Sequence, residues 1–302
     1  MFLSCGDALF DLFAQGDDDV SRIALNGRIG GSPLNVALGL ARLGHHAAYF
    51  TKISSDLFGQ RIRAFMEREA IDQRLLVPTD RNTTLAMVSL KPDGSAAYVF
   101  YIDGTADRSI EVSDVPNPMP AELEAIHLAS YSTVTEPTAG ALVALLRQEN
   151  DRRFVSYDPN VRASIEPDLD IWRAKVAEIV PHAALVKASD EDLEQLYPGR
   201  APEAVLADWI GAVALSGSGL ETSIGGRRIV VADTVGAGDT FQAALLAGLK
   251  ERSALSRSAL LRAPKALIDD VLDFAANAAA VTCSRRGADL PRRADLGLPP
   301  LA

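Results

Sequence analysis

Short apolar runs alternate with stretches of helical period along most of the chain. Residues 2–5 are an apolar run closed by Gly6-Asp7, which predicts a buried strand ending in a loop. Residues 8–29 alternate loosely around a polar turn at Gly16-Asp17-Asp18-Asp19. Gly30-Gly31-Ser32-Pro33 then opens a periodic stretch over 34–43, predicting a helix capped by Ser32, with Pro33 in its first turn and Gly44 as its stop. A strand over 47–53 and a helix over 59–69 follow. Residues 84–90 and 96–102 are rich in β-forming types and flank Lys91-Pro92-Asp93-Gly94-Ser95, a hairpin signal. Because the hairpin interrupts α/β units, it is expected outside the main sheet, forming a lid with the strands of about 10–29.

From residue 125 the rhythm is strand and helix in turn: strands over 126–129, 154–157 and 184–187, helices over 138–149, 171–179 and 191–197. Repeated βα units predict an α/β domain over 1–302, a doubly wound and mostly parallel sheet with helices on both faces. Ligands of such sheets sit beyond the carboxyl ends of the strands, so residues just after strands are the candidates for chemistry.

Composition narrows the function classes. At 48% hydrophobic and 23% charged the chain is ordinarily globular, and a net charge of −10 disfavours nucleic acid and anionic membrane as partners. Two cysteines form no disulfide framework, four histidines lack metal-ligand spacing, and the first residues lack the basic start of a secretion signal. A cytoplasmic location is expected.

The chemistry concentrates in Asp233-Thr234-Val235-Gly236-Ala237-Gly238-Asp239, between an expected strand over 229–232 and a helix over 242–250. Gly236 and Gly238 allow a tight backbone whose amides, with that of Ala237, can converge at a helix N-terminus, an anion hole. A carboxylate beside such a hole does not help phosphate binding, but Asp239 suits a base that removes the proton of an attacking hydroxyl. Taken alone, the run is better read as a glycine-rich turn with Asp239 satisfying the helix N-terminus.

The run resembles the C-terminal signature of the ribokinase-like (PfkB) sugar kinases, and Gly30-Gly31-Ser32-Pro33-Leu34-Asn35-Val36-Ala37 resembles their N-terminal signature. Two signatures in the right order imply an α/β sandwich with a small β lid, using ATP and Mg²⁺. The resemblance implies Asp239 as catalytic base, Gly236, Ala237 and Gly238 as anion hole, and Asp11, Gly30, Gly31 and Asn35 as sugar partners. Asp158-Pro159-Asn160-Val161-Arg162 resembles the family's Asp-x-Asn-x-Arg element, which places Asn160 and Arg162 near phosphate; a structural turn is the competing view. Ser189 and Asp192 stand where relatives often carry Asn and Glu, a segment that influences Mg²⁺ and phosphate binding, which implies Ser189 at the nucleotide and Asp192 in contact with Mg²⁺ through water; Lys187 is expected to face nucleotide phosphates, with a solvated strand-end lysine as the alternative. Asn277 and Gly287 are implied at the nucleotide, with a core amide as the alternative for Asn277. The carbonyls of Asp233 and Val235 are implied for a monovalent cation such as K⁺.

Gly104-Thr105-Ala106-Asp107-Arg108 after the lid hairpin looks closest to bacterial fructokinases, with Tyr101 and Arg108 expected over the sugar. The runner-up substrate is 2-keto-3-deoxygluconate, whose acid group would want Arg108 or Arg162. Between Trp209 and Val230 the chain is short for the family. Strands are expected over 212–215, 221–224 and 228–232, with Gly217 and Gly219 in a contracted nucleotide turn. Two other classes compete. A non-catalytic sugar sensor would need neither Asp239 nor the hole, and a dinucleotide oxidoreductase needs a G-x-G-x-x-G that does not follow Gly6. The partners expected are a sugar, ATP and a second copy of the chain paired through the lid.

Overall fold

The computed structural model describes all residues except 16–18, 91–95, 213–221, 226, 228 and 302. In chain order the strands and α-helices are β1 (Phe2–Cys5), β2 (Leu9–Gln15), β3 (Ala24–Gly30), α1 (Ser32–Arg42), β4 (Ala47–Phe50), β5 (Lys52–Ser54), α2 (Leu57–Arg68), β6 (Val77–Thr79), β7 (Thr84–Leu90) and β8 (Ala96–Tyr101). They continue as β9 (Ala125–Ala129), α3 (Thr138–Glu149), β10 (Phe154–Asp158), α4 (Leu169–Ile179), β11 (Leu185–Val186), α5 (Asp190–Leu196), α6 (Pro202–Ala212), α7 (Ala237–Glu251), α8 (Arg257–Leu261) and α9 (Lys265–Cys283).

Five strands pair in parallel in the order β11-β10-β9-β1-β4. Alternate side chains feed two cores. Leu3, Cys5, Ile126, Leu128 and Val155 pack with α3 and α4, while Phe2, Ala125 and Phe154 pack with α1, α7 and α9. A sheet covered on both faces has strands that are apolar throughout, as β1, β4 and β9 largely are. The chain winds to β4 on one side of β1 and to β9, β10 and β11 on the other, so the crevice for a ligand opens where β1 and β9 end. A separate sheet, β3-β2-β7-β8, forms the lid, and its inner face packs on α1 and α2 through Phe10, Leu12, Leu34, Ile62 and Met66.

Several expectations are corrected. The strand predicted over 47–53 breaks at Thr51, whose carbonyl accepts the Val77 amide at 2.9 Å, and β5 pairs with β6 instead. Residues 229–232 form no strand: Val230 is 90% exposed, and the amides of Ala232 and Asp233 donate to the Cys283 carbonyl rather than to a neighbouring strand. Nor do 222–224 form one; 213–221, with Gly217 and Gly219, lie outside the described residues. Ser32 does not cap α1, because Gly31 holds that position and the Ser32 hydroxyl is given to another group. One helix starts earlier than its apolar period indicates, α7 at Ala237 rather than 242. Among the described residues no helix is long and apolar enough to cross a membrane.

Candidate active site

Gly236 has φ 77°, a left-handed conformation natural to glycine, and the turn it makes starts α7 at Ala237. Asp239 therefore lies in the first helical turn, only 7% exposed yet lining a cavity of about 590 Å³. Its Oδ1 accepts the Ser32 hydroxyl at 2.7 Å and its Oδ2 the Asn35 amide at 2.8 Å, both from α1. Asn160, after β10, donates in turn to the Ser32 oxygen at 2.8 Å. The carboxylate is thus fixed from two directions, and each oxygen keeps a lone pair for a further donor. The amides of Gly236, Gly238 and Asp239 have no acceptor among the described residues, whereas Ala237 N–H is given to the Thr234 carbonyl at 3.2 Å. The free donors of this helix start form a site for negative charge.

Cations close the same end. A Cβ on Gly238 would lie 3.1 Å from the Lys187 ammonium, which is held by Asp158 at 2.8 Å. Burial works against that ammonium, but Asp158, Asp239 and Asp192 outweigh it and raise its pKa. Burial pushes the Asp158 carboxyl up to about 6, against the pull of Lys187. Arg162 lines the cavity, with one amino group on the Val161 carbonyl at 2.9 Å.

The lid side brings hydroxyl partners. Asp11, on β2, also lines the cavity, and burial raises it to about 6 although the Arg162 charge lowers it. A Cβ on Gly30 would sit 2.4 Å from Asp11 Oδ2, and one on Gly31, at φ 114°, would strike the Asp7 carbonyl at 2.3 Å. The paired glycines therefore let α1 start against two aspartates. Asp7 was missed by sequence reasoning: it lines the cavity, and burial, reinforced by the charge of Asp107, raises its carboxyl to about 7. Ser32 and Asp158 were missed as site groups too. The only signal each offered was a polar residue next to a strand end or within a motif.

Other expected residues lie differently. Tyr101 is 60% exposed, and Phe100, one residue earlier on β8, lines the cavity in its place. Arg108 does not line that cavity; it donates to the Ile102 carbonyl and faces Asp103. Asn277 is not a core amide: it is exposed on α9, bonded to Arg227 and Asp273, and lines a cavity of about 790 Å³ other than the one around Asp239. Ser189 caps α5, and Asp192 accepts the Ser189 amide and hydroxyl on one oxygen and the Val161 amide on the other. No cluster of three or more His, Cys, Asp or Glu suited to a metal occurs among the described residues. Val235 lines the cleft. Asp233 joins two loops, accepting the amides of Val235 at 3.1 Å and Gly287 at 2.8 Å.

The sequence profile of the pfkB family carbohydrate kinases matches residues 4–214 and 210–295. A fructokinase of Rhizobium leguminosarum bv. trifolii is 33% identical over 270 residues, covering 85% of this chain and 82% of the relative. The crystal structure of fructokinase with bound ATP from Xylella fastidiosa superposes with a TM-score of 0.84 at 24% identity, covering 96% of this chain and 94% of that one. A Vibrio cholerae O395 fructokinase double mutant with fructose, ADP and potassium ion bound gives a TM-score of 0.80 at 25% identity, over 98% and 96% of the two chains. With a matching profile along nearly its whole length and an aspartate set at the head of a glycine-started helix, this chain belongs to the pfkB family of carbohydrate kinases.

Proposed function

We propose that the protein is an ATP-dependent fructokinase acting as one α/β unit with its lid, and that Asp239 is its general base. The observation that carries the proposal is the Asp239 carboxylate, oriented by Ser32 and Asn35 beside unpaired amides of the same helix start. Asp11 accepts sugar hydroxyls beside Gly30, Gly31 and Asn35. Asp239 takes the proton of the attacking hydroxyl as that oxygen bonds to the γ-phosphorus, and the bond to the β-phosphate oxygen breaks to release ADP. The amides of Gly236 and Gly238, with Lys187 and Arg162, hold the charge that accumulates on the transferred group. Ala237 N–H contributes once it leaves the Thr234 carbonyl.

Mg²⁺ fits this site as a companion of the nucleotide, because the Asp192 oxygens already accept protein donors. It would be held through water near Asp192, where it would neutralise phosphate charge. For a monovalent ion such as K⁺ the carbonyls of Asp233 and Val235 remain the candidates, since Asp233 folds their loop against Gly287. We place the protein in the cytoplasm as a homodimer. The acid 2-keto-3-deoxygluconate is the second reading, favoured by Arg162 at the cleft.

A coupled ADP-release assay over fructose, other ketoses and 2-keto-3-deoxygluconate is expected to give the highest kcat/KM for fructose. Asp239→Asn is expected to lower kcat by about 10³-fold or more with fructose binding retained. Turnover kept in that variant would remove the base, and a wild-type chain that binds sugar without turnover would favour the sensor.

A further inference from the structure

A second cavity of about 760 Å³ adjoins the catalytic cleft and shares Asp11, Phe13, Asn35 and Val235 with it. Its wall carries five arginines, from β3, α1, α2 and the loop after α9, in a protein whose net charge is −10. Two of them are committed. Arg42 is saturated by Glu69, Asp289 and the Leu290 carbonyl. Arg68 faces Glu69 and stacks over the Phe65 ring at 5.2 Å.

The other three, Arg28, Arg61 and Arg286, are exposed and have no carboxylate within ion-pair distance among the described residues. Arg28 uses one amino group on the Arg286 carbonyl at 3.1 Å, a bond that leaves its charge unneutralised. The charge of Arg28 reaches Asp233, whose own oxygens are taken by the Val235 and Gly287 amides. Three elements thus bring unpaired guanidinium groups to one hollow. Like charges gathered this way repel one another unless an anion lies between them.

From this arrangement we infer a binding site for a phosphate monoester of a sugar whose phosphate lies on Arg28, Arg61 and Arg286, beside the transfer site and bordering it at Asp11 and Asn35. The guanidinium fork matches phosphate oxygens in pairs. The hollow is of the size of small-molecule sites, with room well beyond a bare phosphate. Phe10, Phe65 and Leu38 supply an apolar wall, and Asn26 a hydroxyl partner. Such a ligand belongs to the product class of a sugar kinase, so the ligand class rests on the family reading, although the site itself does not.

The test is calorimetric titration of the full chain with fructose 6-phosphate and with inorganic phosphate at low ionic strength, which requires no turnover. Arg61→Gln and Arg286→Gln are each expected to weaken fructose 6-phosphate binding about tenfold or more, and Arg162→Gln, in the catalytic cleft, to leave that binding event in place. Circular dichroism of each variant verifies that the fold is kept. Loss of binding in Arg162→Gln with none in the other two, or no binding by the wild type, overturns the site. Equal affinity for inorganic phosphate overturns its assignment to a sugar ester. A kinase assay that fails while this pattern holds would count against the catalytic reading alone.

Discussion

Asp7 shows how a single carboxyl can set a pH dependence. Its Oδ2 accepts the Ser32 amide at 3.2 Å, and its Oδ1 lies 3.2 Å from the Ser132 hydroxyl. That hydroxyl has one proton and a closer acceptor, the Ala129 carbonyl at 2.7 Å. The pair is therefore best satisfied when Asp7 is protonated and donates to Ser132, in agreement with a carboxyl that burial lifts to about 7. A folded pKa above the unfolded one gives stability that is complete below about pH 4 and lost as pH rises through about 7. Asp7→Asn presents the same donor and acceptor without titrating. It is expected to match the wild type near pH 4 and to exceed it by about 2–4 kcal/mol near pH 8. Urea midpoints at both pH values check this, and an unchanging difference would show that Asp7 is ionised throughout. Nothing in the sequence set Asp7 apart from other aspartates after strands, because its property comes from what packs over it. Asp239, Asn35 and the paired glycines were legible because each belongs to a run whose types make sense only together.

At the scale of elements, periodicity located most helices and strands of the α/β units, since a covered sheet and amphipathic helices leave different apolar spacings. It failed where pairing decides. The apolar residues at 229–231 pair with no strand among the described residues, and a run without such a partner stays irregular. It failed again by one residue on β8, where a step from Phe100 to Tyr101 moves a side chain from one face to the other. The join between lid and main sheet was likewise invisible. The Asp107 carboxyl accepts the hydroxyls of Thr84, at the start of β7, and of Tyr131, after β9, each at 2.5 Å, with Thr105 at 3.1 Å. One buried group thus ties both roots of the lid hairpin to the strand end beside the cleft. Tyr131→Phe removes one of these bonds from a buried acceptor. It is expected to cost about 2 kcal/mol of stability and to raise KM for the sugar more than it lowers kcat, because a looser lid holds substrate less well. Denaturant midpoints and steady-state kinetics measure both, and a fall confined to kcat would place the effect on the chemistry instead.

At the scale of the whole molecule, the lid is the part that stands least well alone. Its four strands end in two edges, β3 and β8, and a small sheet of this kind is marginal unless another surface covers it. The face that packs on α1 and α2 through Phe10 and Leu12 is covered only in part: Leu25, Val99 and Tyr101, which the strand register puts on that same face, are 43%, 55% and 60% exposed. Single exposed apolar residues need no explanation, but three on one face of the lid strands suit contact with a second copy of the chain. A second copy presenting the same strands would bury these groups, and a two-fold contact is self-complementary by construction. Sedimentation equilibrium is therefore expected to give twice the 32.2 kDa chain mass at micromolar concentration. Tyr101→Lys together with Val99→Lys places charge on that surface and is expected to shift the protein to the single-chain mass. The same variant is expected to weaken sugar binding, because the lid then loses its covering while Asp239 and its partners on α1 and α7 are untouched. A wild-type chain that sediments at the single mass throughout would show that the lid is stable uncovered, and that the exposed tyrosine on β8 serves no second subunit.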